Sequence, residues 1–242
     1  MGALKYIMAE RFISGAGITL ALTVISMIAG IVLGLVLALM KTSRSPLLRV
    51  PSSVYIFLFR GTPVLLQMIF VFAALPQLGI RFSPFQSAVI ALSLNEAAYM
   101  AEIIRAGLQS IDREQWTAGR VLGFRDSQIF RYIVLPQAAR IIIPPTGNQF
   151  IGMLKTSALA SVVAVSDLLQ TAQRTASANF DYVNTLIAAA AYYLLFTTVF
   201  TFLQDRLERR MDVLRRRRPA ETRGGARAVG AGVAAVGEVK PR

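Results

Sequence analysis

The sequence predicts an all-α membrane protein of about five transmembrane helices, with a helix pair set between spans three and four. Three observations lead there. Apolar residues make up 55% of the 242 residues and charged ones 16%, against about 25% charged in an ordinary globular domain. The apolar residues come in long runs: residues 12–40 and 182–204 carry no charged side chain, and about 20 helical residues cross a bilayer core of about 30 Å. The remaining charge is segregated along the chain in the pattern of a protein whose loops alternate between two faces of a membrane.

Span one, about 14–40, reads GITLALTVISMIAGIVLGLVLALM. It is too long for a signal-peptide core and no clear small-residue cleavage site follows, so it is expected to be retained. Gly30-x-x-x-Gly34 allows two backbones to approach closely, inside the subunit or between subunits. Ser45-Pro46 and Val50-Pro51 mark turns, and Ser52-Ser53 offer a helix cap. Span two, about 54–75, contains Phe59-Arg60-Gly61-Thr62-Pro63. Pro63 removes a backbone donor and Gly61 loosens the same turn, so the helix is expected to kink or break there. Arg60 either snorkels to lipid phosphates or braces the kink. Pro76 and Gly79 end the span.

Span three, about 85–106, carries Asn95, Glu96, Glu102 and Arg105. Ionisable residues inside a membrane are rare and usually functional. Glu102 and Arg105 are one turn apart, the spacing of an ion pair that lowers the burden of burial, with a gating role as the alternative. Asn95 and Glu96 lie deeper and are candidates for the substrate path or for a hydrogen bond to a neighbouring helix.

Residues 107–140 form the largest loop. Trp116, Ala118 and Leu122 make an apolar stripe, Gly123 suits a left-handed helix terminus, and Asp126 or Ser127 is placed to cap a second helix. That helix shows Ile129, Phe130, Ile133 and Val134 on one face, and Pro136 is expected to close it. A compact, glycine-punctuated helix pair on a membrane protein presents a surface to a partner in the cytosol. Trp116 either packs on the membrane-proximal helices or is buried by that partner.

Span four, about 142–166, is expected to start at Pro144-Pro145 and to carry a polar track of Asn148, Lys155, Thr156, Ser157 and Ser161. Polar groups at that depth face a water-filled path or hold helices together. Asp167 caps the next segment or meets an external partner, and residues 167–181 read as a polar external loop. Span five is about 182–204. The membrane domain is thus assigned to 1–212, and 213–242, Arg-, Gly- and Ala-rich, reads as a basic disordered tail.

Lys41, Arg44 and Arg49 follow span one; Arg113, Arg120, Arg125, Arg131 and Arg140 lie in the large loop; Arg206, Arg209, Arg210 and Arg215 to Arg218 follow span five. The positive-inside rule then puts the amino terminus outside and the carboxyl terminus in the cytosol. The net charge of +13 is accounted for by topology, and nucleic acid is not an expected partner. The chain has no cysteine and no histidine, which removes thiolate nucleophiles and imidazole bases; its acids are scattered along helices, so no catalytic site and no metal site are expected. No Gly-x-x-x-x-Gly-Lys-[Ser/Thr] loop is present, so nucleotide phosphates are not cradled by a P-loop on this chain.

Thr117 to Pro136 resembles the EAA loop of permease subunits in bacterial ATP-binding-cassette importers: Ala118, Gly123, Ile133, Leu135 and Pro136 fall on that pattern, while Thr117 stands where Glu is usual and Gly119 where Ala is usual. Arg60-Gly61-Thr62-Pro63 with Gln67, Ala98-Tyr99-x-Ala101-Glu102-Ile103-x-Arg105, and Lys155-Thr156-Ser157-x-Leu159-x-Ser161 resemble segments of the polar amino-acid branch. The resemblance covers roughly residues 10–205. It implies a channel-forming subunit of the bacterial inner membrane that alternates access to import an amino acid. The implied partners are a second permease subunit, identical or paralogous, two cytosolic ATPases, an extracytoplasmic solute-binding protein and membrane lipid. No cofactor is implied. Trp116, Thr117, Ala118, Gly119, Gly123, Ile133, Leu135 and Pro136 would form the ATPase-coupling surface. The rival reading is a secondary transporter of small polar solutes driven by an ion gradient; the absence of a visible inverted repeat counts against it.

Overall fold

The computed structural model describes residues 2–212, and all regular structure among them is helical. The expected tail, 213–242, lies outside the described residues. Residues up to Gln204 pack as one unit, and a second unit begins at Asp205.

A short helix α1 (Gly2–Ile7) precedes α2 (Glu10–Thr42), the first long apolar helix. Helix α2 packs chiefly along α5 (Pro84–Gln109). On α2 the buried positions include Gly15, Thr19, Thr23, Ser26, Gly30, Gly34 and Ala38, a stripe of small residues at nearly four-residue spacing. The facing surface of α5 buries Ala88, Ala91, Ala97, Ala98 and Ala101. Small side chains let the two backbones close on each other, and dispersion then replaces the hydrophobic drive that lipid cannot supply. A Cβ on Gly34 would stand 2.6 Å from Met100 Cβ and 3.0 Å from the Ala97 carbonyl oxygen. Of the two roles open to Gly30 and Gly34, packing inside the subunit is the one realised.

Helix α3 (Pro46–Gly61) starts earlier than span two was expected to. Its N-cap is Ser45, and Ser52 and Ser53, the anticipated caps, sit inside it with their hydroxyls donating to the Arg49 carbonyl at 2.9 and 2.8 Å. Proline fits the first turn of a helix, and Pro46 starts this one. After Gly61 the chain turns through Thr62 and Pro63 into α4 (Val64–Ile69), a π-helical turn (Phe70–Ala74) and a 3-10 turn ending at Leu78. The two halves are bent by 103°, so the predicted kink is a break. Gly79, in left-handed conformation at φ 84°, ends the segment as anticipated.

Helix α6 (Arg113–Val121) is capped by the Asp112 side chain, which accepts from the Glu114 amide at 3.0 Å. Gly123 follows at φ 80°, the left-handed terminus expected of it. Helix α7 (Asp126–Ile129) is capped at Arg125, whose amide donates to Gln128 Oε1 at 2.9 Å; Asp126 and Ser127 are inside the helix, and Asp126 instead pairs with Arg120 at 2.9 Å. Pro136 does not close this unit. The chain continues through a π turn (Phe130–Val134) into α8 (Leu135–Thr156), with Pro136 in its first turn. The Leu135 amide reaches back five residues to Phe130, and such a widened turn makes room where a proline ring would press on the preceding carbonyls. Pro144 and Pro145 likewise lie inside α8 and do not start it.

At Ser157 the helix tightens to a 3-10 segment (Ser157–Val163). Residues 167–181 are not a loop. Asp167 accepts from the Gln170 amide at 2.9 Å and caps helix α9 (Leu168–Asn179), which buries Leu168, Ala172, Thr175 and Ala176. That spacing of four, three and one is one helix face, and polarity elsewhere in the segment masks it in the sequence. Helix α10 (Tyr182–Asp212) is the last among the described residues, packing Ala188 and Ala189 with Tyr6, Phe12, Leu168 and Ala172. By length and composition α2, α5 and α10 can each cross a membrane; the two bent pairs, α3 with α4 and α7–α8 with α9, bring the number to five if each is one span.

Candidate functional site

A helix broken inside a membrane exposes carbonyls that lipid cannot satisfy, so irregular backbone survives there only where protein or water covers it. Two amides do that covering. Gln67 Nε2 donates to the Phe59 carbonyl at 3.0 Å, to the Thr62 carbonyl at 3.2 Å and to Thr62 Oγ1 at 2.8 Å. Asn95 Nδ2, from α5, donates to the same Phe59 carbonyl at 2.9 Å and to Gln67 Oε1 at 3.1 Å. Thr62 Oγ1 in turn donates to the Leu58 carbonyl at 2.8 Å. Asn95 thus hydrogen-bonds to a neighbouring helix across the break, and it also lines the cavity beside it.

Beside the break lies a cavity of about 550 Å³ lined by Arg60, Gly61, Thr62, Pro63, Val64, Leu92, Asn95, Glu96, Tyr99, Gln149, Gly152, Met153 and Thr156. Its size is that of a small-molecule site. Arg60 stacks over the Tyr99 ring, 5.2 Å from its centroid, and has no ion pair among the described residues. That contact ties the end of α3 to α5. Tyr55, stacked on Phe59 with centroids 4.4 Å apart, anchors the same end of α3 by donating to the Leu94 carbonyl at 2.8 Å. Glu96 is 6% exposed. A Cβ on Gly30 would stand 2.7 Å from Glu96 Cγ, so glycine there is what admits the side chain. Glu96 Oε1 is enclosed without a hydrogen-bond partner among the described residues, an arrangement that costs several kcal/mol when the group is charged and nothing pairs with it.

The polar track of span four is only partly realised. Thr156 lines the cavity, with its hydroxyl donating to the Gly152 carbonyl at 3.1 Å. Lys155 is exposed and does not line it. Ser157 and Ser161 are buried, their hydroxyls spent on the Leu154 and Ala158 carbonyls at 2.9 and 2.7 Å. Asn148 lies on another face and accepts from Gln204 at 3.1 Å. At about 3.6 residues per turn Lys155, Ser157 and Ser161 lie off the face of α8 that the cavity-lining residues define. The residues of α8 that do reach the cavity, the expected Thr156 together with Gln149, Gly152 and Met153, fall at i, i+3, i+4 and i+7, a spacing legible in the sequence. Thr62, of the Arg60-Gly61-Thr62-Pro63 segment, lines the cavity as well.

Glu102 forms the predicted pair with Arg105, 2.7 Å, and takes Lys41 from α2 as a third member at 2.5 Å. Arg105 also donates to Gln109.

The α6–α7 hairpin is held by the Arg120–Asp126 pair and by a close approach at Gly119. Gly119 is buried, and a Cβ on it would stand 2.7 Å from Ile129 Cγ1. Thr117, Ala118, Leu135 and Pro136 are exposed, and Trp116 and Ile133 are half-buried. The expected stripe of Trp116, Ala118 and Leu122 does not pack inward, since Leu122 is 74% exposed. Glycine, by leaving room, makes the contact instead. Val121, 81% exposed, and Phe124 extend an apolar surface at the hairpin tip.

Residues 30–213 match the family described as the binding-protein-dependent transport system inner membrane component. The chain is similar to the arginine transport system permease protein ArgU of Corynebacterium glutamicum, 39% identical over 222 residues, which is 86% of this chain and 70% of the relative. It is 36% identical to the glutamine transport system permease protein GlnP of Escherichia coli over 204 residues, 84% and 93% of the two chains. Among solved structures, an amino acid ABC transporter crystallised with histidines superposes with a TM-score of 0.79 at 41% identity, over 83% of this chain and 94% of that one. The inward-facing MetNI methionine ABC transporter shares the fold, with a TM-score of 0.70 at 21% identity over 84% and 99% of the two chains.

Proposed function

Because this chain belongs to the binding-protein-dependent transport system inner membrane components, we infer that the cavity beside the broken helix is part of the path along which an amino acid crosses the membrane. The chain is the membrane subunit of an ATP-driven importer and is not itself an enzyme; hydrolysis resides on separate ATPase chains, and an extracytoplasmic binding protein works with it. Likeness to permeases of this kind, at 41% identity to a solved amino acid ABC transporter, leaves the ion-gradient carrier without support. Amino-acid cargo is the finer reading, favoured by relatives named for arginine and glutamine transport.

One observation carries the assignment of the path: a span broken by 103°, its freed carbonyls covered by Gln67 and Asn95, beside a polar-lined cavity. Transporters concentrate broken helices where backbone meets cargo or its water. The α6–α7 hairpin is read as the ATPase-coupling element, with the exposed Thr117, Ala118, Leu122 and Phe124 and the half-buried Trp116 on its contact surface; Gly119, Gly123, Ile133, Leu135 and Pro136 set its shape. Glu102, Lys41 and Arg105 tie α2 to α5 as a structural cluster or gate. The subunit pairs with a second, identical or paralogous, permease subunit. Its five spans, each bent pair counted as one, run with the amino terminus outside and the carboxyl terminus in the cytosol, in contact with membrane lipid. The test is reconstitution with the ATPase and the binding protein in proteoliposomes. Uptake is expected to require internal or external ATP according to orientation and to persist when a protonophore collapses the proton gradient; uptake abolished by the protonophore with ATP intact refutes the reading.

A further inference from the structure

We propose that Asp167 and Tyr193 are positioning residues of the transport cycle: unpaired in the state seen here, they hydrogen-bond to each other in the opposite one, as α9 turns at the end of span four. The proposal rests on the subunit alternating access.

Helix α9 is joined to the cavity-lining helix α8 by irregular backbone. After Thr156 the 3-10 segment runs seven residues, Ser157–Val163. Such runs seldom exceed about three or four residues, and a long one within a helix marks a hinge or a strained sequence. Ala164 follows at φ 61°, a left-handed conformation that is strained for a residue with a Cβ. Strain of this kind collects at switch regions. Across the joint the two parts of span four bend by 50°.

Just past the joint, α2, α9 and α10 meet in a buried polar corner. Asp167 is fully buried and spends Oδ1 on the Gln170 amide that it caps. The next amide, of Leu168, donates to Thr19 Oγ1 of α2 at 3.1 Å. A Cβ on Gly15 would stand 3.1 Å from the Asp167 carbonyl oxygen, so α2 fits closely against the joint. Asp167 Oδ2 is enclosed with no hydrogen-bond partner among the described residues. The same is true of the Tyr193 hydroxyl, which faces Asp167 and Thr19 from α10. A strong acceptor and a donor, both removed from water, are thus left unpaired in one corner. That disfavours this arrangement against one in which they meet. A turn of α9 about Ala164 changes their separation, so the pair biases the equilibrium between the two states.

The chain has no cysteine, so spin labels on Gln173→Cys and Arg81→Cys, both exposed, follow α9 in a complex assembled with a cysteine-free ATPase. Wild type is expected to give different distance distributions in the nucleotide-free and ATP-locked complexes. Tyr193→Phe removes only the hydroxyl. Asp167→Ser keeps a capping oxygen and loses the second one. Each should shift the balance of the two distributions in the same direction by roughly tenfold and slow uptake. The double variant should shift it no further than either single one. Asp167→Asn, which keeps the cap and can donate to the Tyr193 oxygen, should stay close to wild type. Unchanged populations in both single variants overturn the proposal, as do additive shifts in the double variant. A defect in Asp167→Ser with none in Tyr193→Phe also overturns it, because the carboxylate would then serve the cap alone. If one distance distribution persists in both nucleotide states while ATP drives uptake, the pairing falls and the importer reading stands; if ATP drives no uptake, that reading falls with it.

Discussion

Substituting Gly123 isolates the conformational contribution of one residue to coupling. Its φ is 80°, and no heavy atom lies within 4 Å of where a Cβ would stand. A new side chain therefore meets no neighbour, and the whole effect is backbone strain, about 1 kcal/mol for alanine and about 2 kcal/mol for valine. The hairpin relieves that strain by re-angling α6 against α7. If the ATPase accepts only the native angle, 1–2 kcal/mol corresponds to roughly 5- to 30-fold weaker association. Membrane insertion and the α2–α5 core should be untouched, because Gly123 packs against neither. The assay is co-purification of the ATPase with tagged permease, titrated over ATPase concentration, together with transport-coupled ATP hydrolysis. Gly119→Val serves as comparison, since its side chain would collide with Ile129 and shift the hairpin by contact instead of strain. Full ATPase association and full coupled hydrolysis in Gly123→Val would refute the assignment of this hairpin as the coupling element.

The break in span two should depend on its two amides: Gln67→Leu removes the donor to the Thr62 carbonyl and hydroxyl and one of two donors to the Phe59 carbonyl, and should destabilise the subunit by about 1–3 kcal/mol, read as earlier thermal unfolding in detergent, and combining it with Asn95→Leu should be non-additive because both bond to Phe59. Gly34→Ile forces atoms against the Ala97 and Ala101 backbone, which cannot yield, and should cost about 1–3 kcal/mol, whereas Gly17→Ala, with nothing within 4 Å, should be neutral or slightly stabilising in the same measurement. Reporter fusions at Gly79 and at Gly123 should report opposite faces of the membrane; the same face for both would overturn the proposed orientation and span count.

The helical class, the apolar helices around 14–40 and 182–204, the break at Gly61–Pro63, the end of the second span at Gly79 and the left-handed end at Gly123 were all legible in the sequence. Each rests on a local rule: run length against bilayer thickness, a missing donor at proline, or the conformational freedom of glycine. The Glu102–Arg105 pair was legible for the same reason, one helical turn. What followed the chain over distance was not. That Gly30 leaves room for Glu96, that Lys41 joins Glu102, and that Asn95 and Gln67 meet over the Phe59 carbonyl depend on how α2, α4 and α5 are registered against α3. Helix α9 escaped notice because its buried face becomes apolar stripe only when Tyr6, Phe12 and Ala188 supply the other side. Ser157 and Ser161 lie off the cavity face of Gln149, Gly152, Met153 and Thr156, and their buried hydroxyls bond to the Leu154 and Ala158 carbonyls. Local chemistry specifies where a chain bends and which segments leave water; which polar atoms then face one another is set by helix registry, and registry is decided by contacts between residues that sequence spacing does not relate.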